Sequence, residues 1–147
     1  MAEAEPELVR LAKYIEEKER QLSNYSDKLR DSVEAIFYYF SRQGRCPVSI
    51  DITDTIPFYH NEKYDLDYYL AFRRHDLVIV IRPSGQEEWE NIEGPGNISR
   101  EALKALVKSN RLVEFLKIVS QKLEELNKEY GEVSKAAEKM AKAIGQT

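Results

Sequence analysis

Leu112, Leu116, Val119, Leu123, Leu126, Tyr130, Val133, Ala137, Met140 and Ile144 follow one another at alternating steps of four and three. A step averaging 3.5 residues keeps one apolar seam on one side of a supercoiled helix. Such a helix extends roughly 48 Å at about 1.5 Å per residue, and alone it would leave its seam in water. The chain is therefore expected to be an obligate oligomer, a homodimer joined by a zipper-like helix over 111–147. With Leu116, Leu123, Tyr130, Ala137 and Ile144 at heptad position a, few of the flanking e and g positions are charged. Interhelical ion pairs then do not select the partner. The same pattern also admits a long helix inside a monomeric bundle, with N-terminal helices as its partner.

The 147 residues suffice for one domain with a core plus an appendage, expected to divide at 1–110 and 111–147. Hydrophobic residues make up 42% and charged residues 33%, the balance of a soluble globular protein. No apolar run approaches the roughly 18–20 residues that cross a bilayer. The opening MAEAEPELVR is acidic and lacks a secretory pattern. Cys46 is the sole cysteine, so no internal disulfide forms and a cysteine-based zinc site is not expected. A cytoplasmic, intracellular location is the resulting expectation. Abundant Glu and Lys with few Cys and Met suits a heat-adapted protein, although long solvated helices give the same composition.

Pro6 opens an N-terminal helical region, read as two helices over about 6–22 and 26–43 with Ser23–Asp27 as the break and Gly44 as the stop. From Cys46 the period becomes two. Val48, Ile50 and Ile52 alternate with polar residues as a half-buried strand, and Ile56–Tyr59 reads as a second. Residues 66–74 and 77–82 form a hairpin turning at Arg74-His75-Asp76, and Pro83-Ser84-Gly85 ends the sheet. Three or four antiparallel strands follow, because the connections are too short for a parallel crossover. Ser99 then caps a helix that breaks at Ser109-Asn110. The fold class expected is α+β: N-terminal helices, a small antiparallel sheet, then helices ending in a long coiled-coil helix.

Eleven of the fifteen aromatic residues lie between Phe37 and Trp89. In the hairpin, alternation places Leu66, Tyr68, Leu70 and Phe72 on a core face and Asp67, Tyr69, Ala71 and Arg73 on a more solvated one. Tyr69 and Arg73 then project side by side. A ring beside a guanidinium suits unpaired nucleic acid, since bases stack on the ring while the cation meets phosphate. Arg45, Tyr59, Tyr64, Arg74, Arg82 and Trp89 are expected companions. The net charge of −4 counts against simple polycation-style binding, yet Tyr68–Gln86 carries Arg73, Arg74 and Arg82 against Asp76 alone. The plainer reading of each tyrosine is that it suits a half-buried strand.

An enzyme is not expected, and neither a cofactor nor a metal. His60 and His75 lie in turns without a paired ligand, and Asp51, Asp54, Asp65 and Asp67 read as turn formers. Gly94-Pro95-Gly96 lacks the preceding strand and the following Lys-Ser/Thr of a phosphate loop.

The run Tyr68-Tyr69-Leu70-Ala71-Phe72-Arg73-Arg74, Trp89 and the seam from Leu112 to Ile144, in this order of parts, resemble ThermoDBP. That is a single-stranded DNA-binding family of certain thermophilic crenarchaea. The resemblance is one of layout and spans nearly the whole chain. It implies a homodimer joined by C-terminal helices and an apolar cleft, rimmed by basic groups, for unpaired DNA. It also requires the acidic stretch Glu87–Glu93 to face away from that cleft. The function expected is largely sequence-independent binding of single-stranded DNA, and of RNA by the same chemistry. The alternative is a non-catalytic coiled-coil adaptor. A duplex-DNA regulator is disfavoured because no helix gathers basic residues on one face.

Overall fold

The structure is a computed structural model that describes residues 4–49, 52–86 and 88–146. It is α+β. A long helix α1 (Ala4–Tyr39) precedes four strands, β1 (Ile56–Asn61), β2 (Leu66–Arg73), β3 (Asp76–Pro83) and β4 (Asn91–Glu93). A 3₁₀ turn at Pro95–Asn97, α2 (Arg100–Lys108) and α3 (Arg111–Gly145) complete the order. The strands form one antiparallel meander in the order β1-β2-β3-β4. Pro57, which has no N–H to donate, sits on the edge strand β1, where that absence is tolerated.

All three helices pack on one face of the sheet. Val33 and Phe37 of α1, Ala102, Leu103 and Leu106 of α2, and Phe115 and Val119 of α3 join one core with Tyr68, Leu70, Phe72, Leu77 and Ile79. Phe115 is fully buried and stacks on Phe72 with ring centroids 5.8 Å apart. Arg30 ties α1 to the 3₁₀ turn, its Nη1 donating to the carbonyls of Pro95, Gly96 and Ile98 at 2.9–3.2 Å. The Ser99 hydroxyl accepts from the Ala102 amide and caps α2 as expected.

Two expectations are corrected. The N-terminal region is one helix, not two: α1 runs unbroken through Ser23–Asp27. Helix propensity costs at such polar positions are about 0.7 kcal/mol or less each. Continuing the helix carries the seam of Leu22, Tyr25 and Leu29 onto Val33 and Phe37 in the core. Gly44 lies beyond the helix end for another reason. A Cβ there would run into the carbonyl oxygens of Tyr38 and Tyr39, over which the chain folds back. Likewise, no strand forms at 46–49 or 52–55, while Ile50 and Asp51 lie outside the described residues. Val48 and Ile52 are buried, so the alternation reports one-sided burial without a ladder. The Cys46 amide donates to Tyr39 O, and His75 Nδ1 lies 2.9 Å from Val48 O.

The seam of α3 is divided between two environments. Leu112, Leu116, Val119 and Leu123 pack on the body, whereas Tyr130, Val133 and Met140 are exposed. Every residue from 127 to 146 is exposed, as is every residue from 5 to 25 of α1. The first turns of α3, through Leu123, thus belong to the packed body, and its exposed stretch begins at residue 127. No helix among the described residues is long and apolar enough to cross a membrane.

Candidate functional site

The face of the sheet turned away from the helices has a different composition. Register and alternation place Pro57 and His60 of β1, Asp67, Tyr69, Ala71 and Arg73 of β2, Val78, Val80 and Arg82 of β3, and Ile92 of β4 on it. Ala71 and Val80 are 0% exposed yet stand outside the core cluster. Polar side chains cover them. Arg82 sits across from Asp67, and Arg73 follows six residues later on β2, about 20 Å of strand at roughly 3.3 Å per residue. Even so, both reach one oxygen, Oε2 of Glu90, Arg82 at 3.1 Å and Arg73 at 3.6 Å. The two side chains must therefore lie along the sheet, heads converging, over the small apolar floor.

Two left-handed residues make this possible. Arg74 and His75, at φ 53° and 75°, form the two-residue connection between β2 and β3, the backbone sense that matches strand twist. β4 then returns beside β3 and brings Glu90 over the middle of the face. Burial acts to raise the Glu90 pKa, but hydrogen bonds from Arg82 and Arg73 outweigh it and hold the carboxyl below the ordinary glutamate value. It is ionised at neutral pH.

Arg82 also lies over Tyr69, its guanidinium carbon 5.0 Å from the ring centroid. Both line an open cleft of about 800 Å³ with Pro83, Gly85, Gln86, Glu88 and Trp89. Trp89 is 69% exposed. At the β1 end, His60 Nδ1 lies 2.6 Å from Asp67 Oδ1, and the Ser84 hydroxyl donates to Asp67 Oδ2 at 3.0 Å. The Asp67 hydrogen bond, followed by the nearby charges of Asp67, Asp65 and Glu62, raises the His60 pKa against a smaller effect of burial. Asp67 thus ties His60 of β1 to the turn that follows β3.

The structure thus gathers Tyr69, Arg73, Arg82 and Trp89. It separates the others. Tyr59 is half-buried against the core and meets Tyr68 edge-on at 5.2 Å, because a bulge at Phe58 turns two successive aromatics to the core side. Tyr64 is exposed in the β1–β2 turn, with Lys63 over its ring. Arg74 is exposed at the β2–β3 turn, and Arg45 is exposed beside Cys46, the residue tied to the end of α1. The acidic stretch does not face away: Glu88 lines the cleft, and Glu90 grips the cleft's Arg82 together with Arg73. Glu87 lies outside the described residues. Glu90 is the site residue that charge counting missed. The Pro83-Ser84-Gly85 turn between Arg82 and Glu90 was the signal, since a returning strand would set the two together.

A second groove, of about 500 Å³, lies between sheet and α3 and is more apolar, lined by Phe40, Val48, Phe72, Leu116 and Leu123 among others. Of its two rings, Phe72 is buried and Phe40 half-buried, and its lining includes Glu124 but no arginine. No group of three or more metal-ligating side chains occurs among the described residues. The chain matches no protein-family profile, no curated protein and no solved structure.

Proposed function

We propose that this chain binds single-stranded DNA, and RNA by the same chemistry, on the open face of its sheet, as a homodimer with the ThermoDBP-like layout. The observation that carries the reading is the helix-free sheet face on which Trp89 and Tyr69 border one open cleft beside Arg82. Ring faces accept any base, at about 1–3 kcal/mol per base stacked, so recognition is largely sequence-independent and needs little net positive charge. Arg82 and Arg73 meet the phosphates. The apolar groove beside α3 is less suited, because Glu124 and no arginine lines it. The exposed half of the α3 seam joins two copies, and two linked sites gain avidity on one long strand.

Titration with single-stranded and duplex oligonucleotides at several salt concentrations tests this. Trp89 is the only tryptophan, so its fluorescence reports from the cleft itself. Preferential single-strand binding that quenches Trp89 and weakens with salt is expected. Absence of binding at micromolar protein and low salt would leave the second reading, a coiled-coil adaptor. That alternative draws support from the exposed apolar positions on both arms, among them Leu8, Leu11, Ile15, Val133 and Met140.

A further inference from the structure

We propose that Arg73 and Arg82, with Tyr69 as a wall, form a seat for one phosphodiester oxyanion, and that Glu90 fills this seat until the ligand's phosphate displaces it. The inference rests on the single-strand reading and adds the identity of the subsite and its internal competitor. Guanidinium forks take carboxylate and phosphate in the same way. An ionised Glu90 carries one negative charge, and so does a phosphodiester, so the exchange conserves charge at the seat. Two arginines share a single carboxylate oxygen, which leaves one positive charge uncompensated for an incoming anion.

The floor beneath the arginines is Ala71 and Val80, whose side chains offer no acceptor. Glu90, by contrast, is easily moved. It directly precedes a three-residue edge strand, and its own backbone lies outside the β3–β4 register, which begins at Asn91. Releasing it requires side-chain rotation without breaking the sheet. Trp89, next in the chain, is exposed and borders the same cleft, so a base stacked there brings its phosphate toward the seat.

The test compares the full-length wild type with Glu90→Gln for binding to a labelled dT20 oligonucleotide across a salt series, with a thermal melt of each. Removing the competitor is expected to tighten binding about tenfold. It also steepens the salt dependence by about 0.7 in log–log slope, because the phosphate then no longer releases a carboxylate when it binds. Glu90→Asp keeps the charge but withdraws it by one methylene, and should fall between the two. If Glu90→Gln melts out, Glu90→Asp alone still decides the matter, by tightening binding or not. Unchanged or weaker binding by a folded variant, with the wild type binding, overturns this inference and leaves the proposed function standing. Failure of every form to bind dT20 overturns both.

Discussion

Arg82 rests on the ring of Tyr69 and at the same time donates to Glu90 from Nε and Nη2, at 3.3 and 3.1 Å. The tyrosine is thus both a wall of the cleft and a prop for the cation beside it. Tyr69→Ala should weaken single-strand binding by about 1–3 kcal/mol, while Tyr69→Phe, which keeps the ring, loses far less. Trp89→Ala should cost a similar amount of affinity with stability unchanged to about 0.5 kcal/mol, since the indole is exposed. Arg73→Ala is also expected to weaken binding. Fluorescence anisotropy checks the tyrosine, tryptophan and arginine variants alike. Full affinity in Tyr69→Ala and Arg73→Ala together would remove this face from the site.

Position along α3 should separate folding from assembly. Phe115→Ala empties a fully buried stacking site and is expected to cost about 3–5 kcal/mol of stability by denaturant unfolding. Val133→Asp and Met140→Asp lie on the exposed part of the same helix. These should convert the proposed dimer to monomer in sedimentation equilibrium while leaving the monomer's fold intact. A monomeric wild type would sink the prediction.

Gly44→Ala is expected to destabilise by about 2–3 kcal/mol, large for adding one methyl group. The added carbon meets backbone oxygens of Tyr38 and Tyr39, which cannot rotate out of the way. Melting temperature measures it, and a neutral result would mean that the fold-back after α1 is loose.

His60 supplies a pH signature. Its pKa is raised in the folded protein by Asp67 first and by the charges of Asp67, Asp65 and Glu62. A raised value means that the stabilisation is fully present below the unfolded pKa of about 6.5 and fades as pH climbs through the folded one. The gap in melting temperature between wild type and His60→Gln should therefore shrink above pH 6.5. A gap independent of pH between 5 and 8 would contradict it.

The hairpin and the α2 cap were legible because each rests on neighbours in sequence. Arg74-His75-Asp76 sits between two alternating runs, and Ser99 stands before the first turn of α2. That Tyr59 lies on the core side was not legible, because the bulge at Phe58 shifts the face by one and leaves no mark in the residue pattern. The alternation reported the burial of Val48 and Ile52 but cannot say whether a neighbouring strand exists to receive hydrogen bonds. Glu90 was hidden in an acidic run. Charge counted along the chain does not reveal that a meander lays one of those carboxylates between two arginines.

The exposed stretch 127–146 of α3 also acts as a ruler. Its nineteen helical residues, to Gly145, measure about 28 Å. Two copies pairing there antiparallel set their sheets at opposite ends of that span, whereas parallel pairing sets them side by side. In the proposed dimer, the shortest oligonucleotide that bridges both sheets, found by stepping its length until affinity jumps, tells parallel from antiparallel pairing.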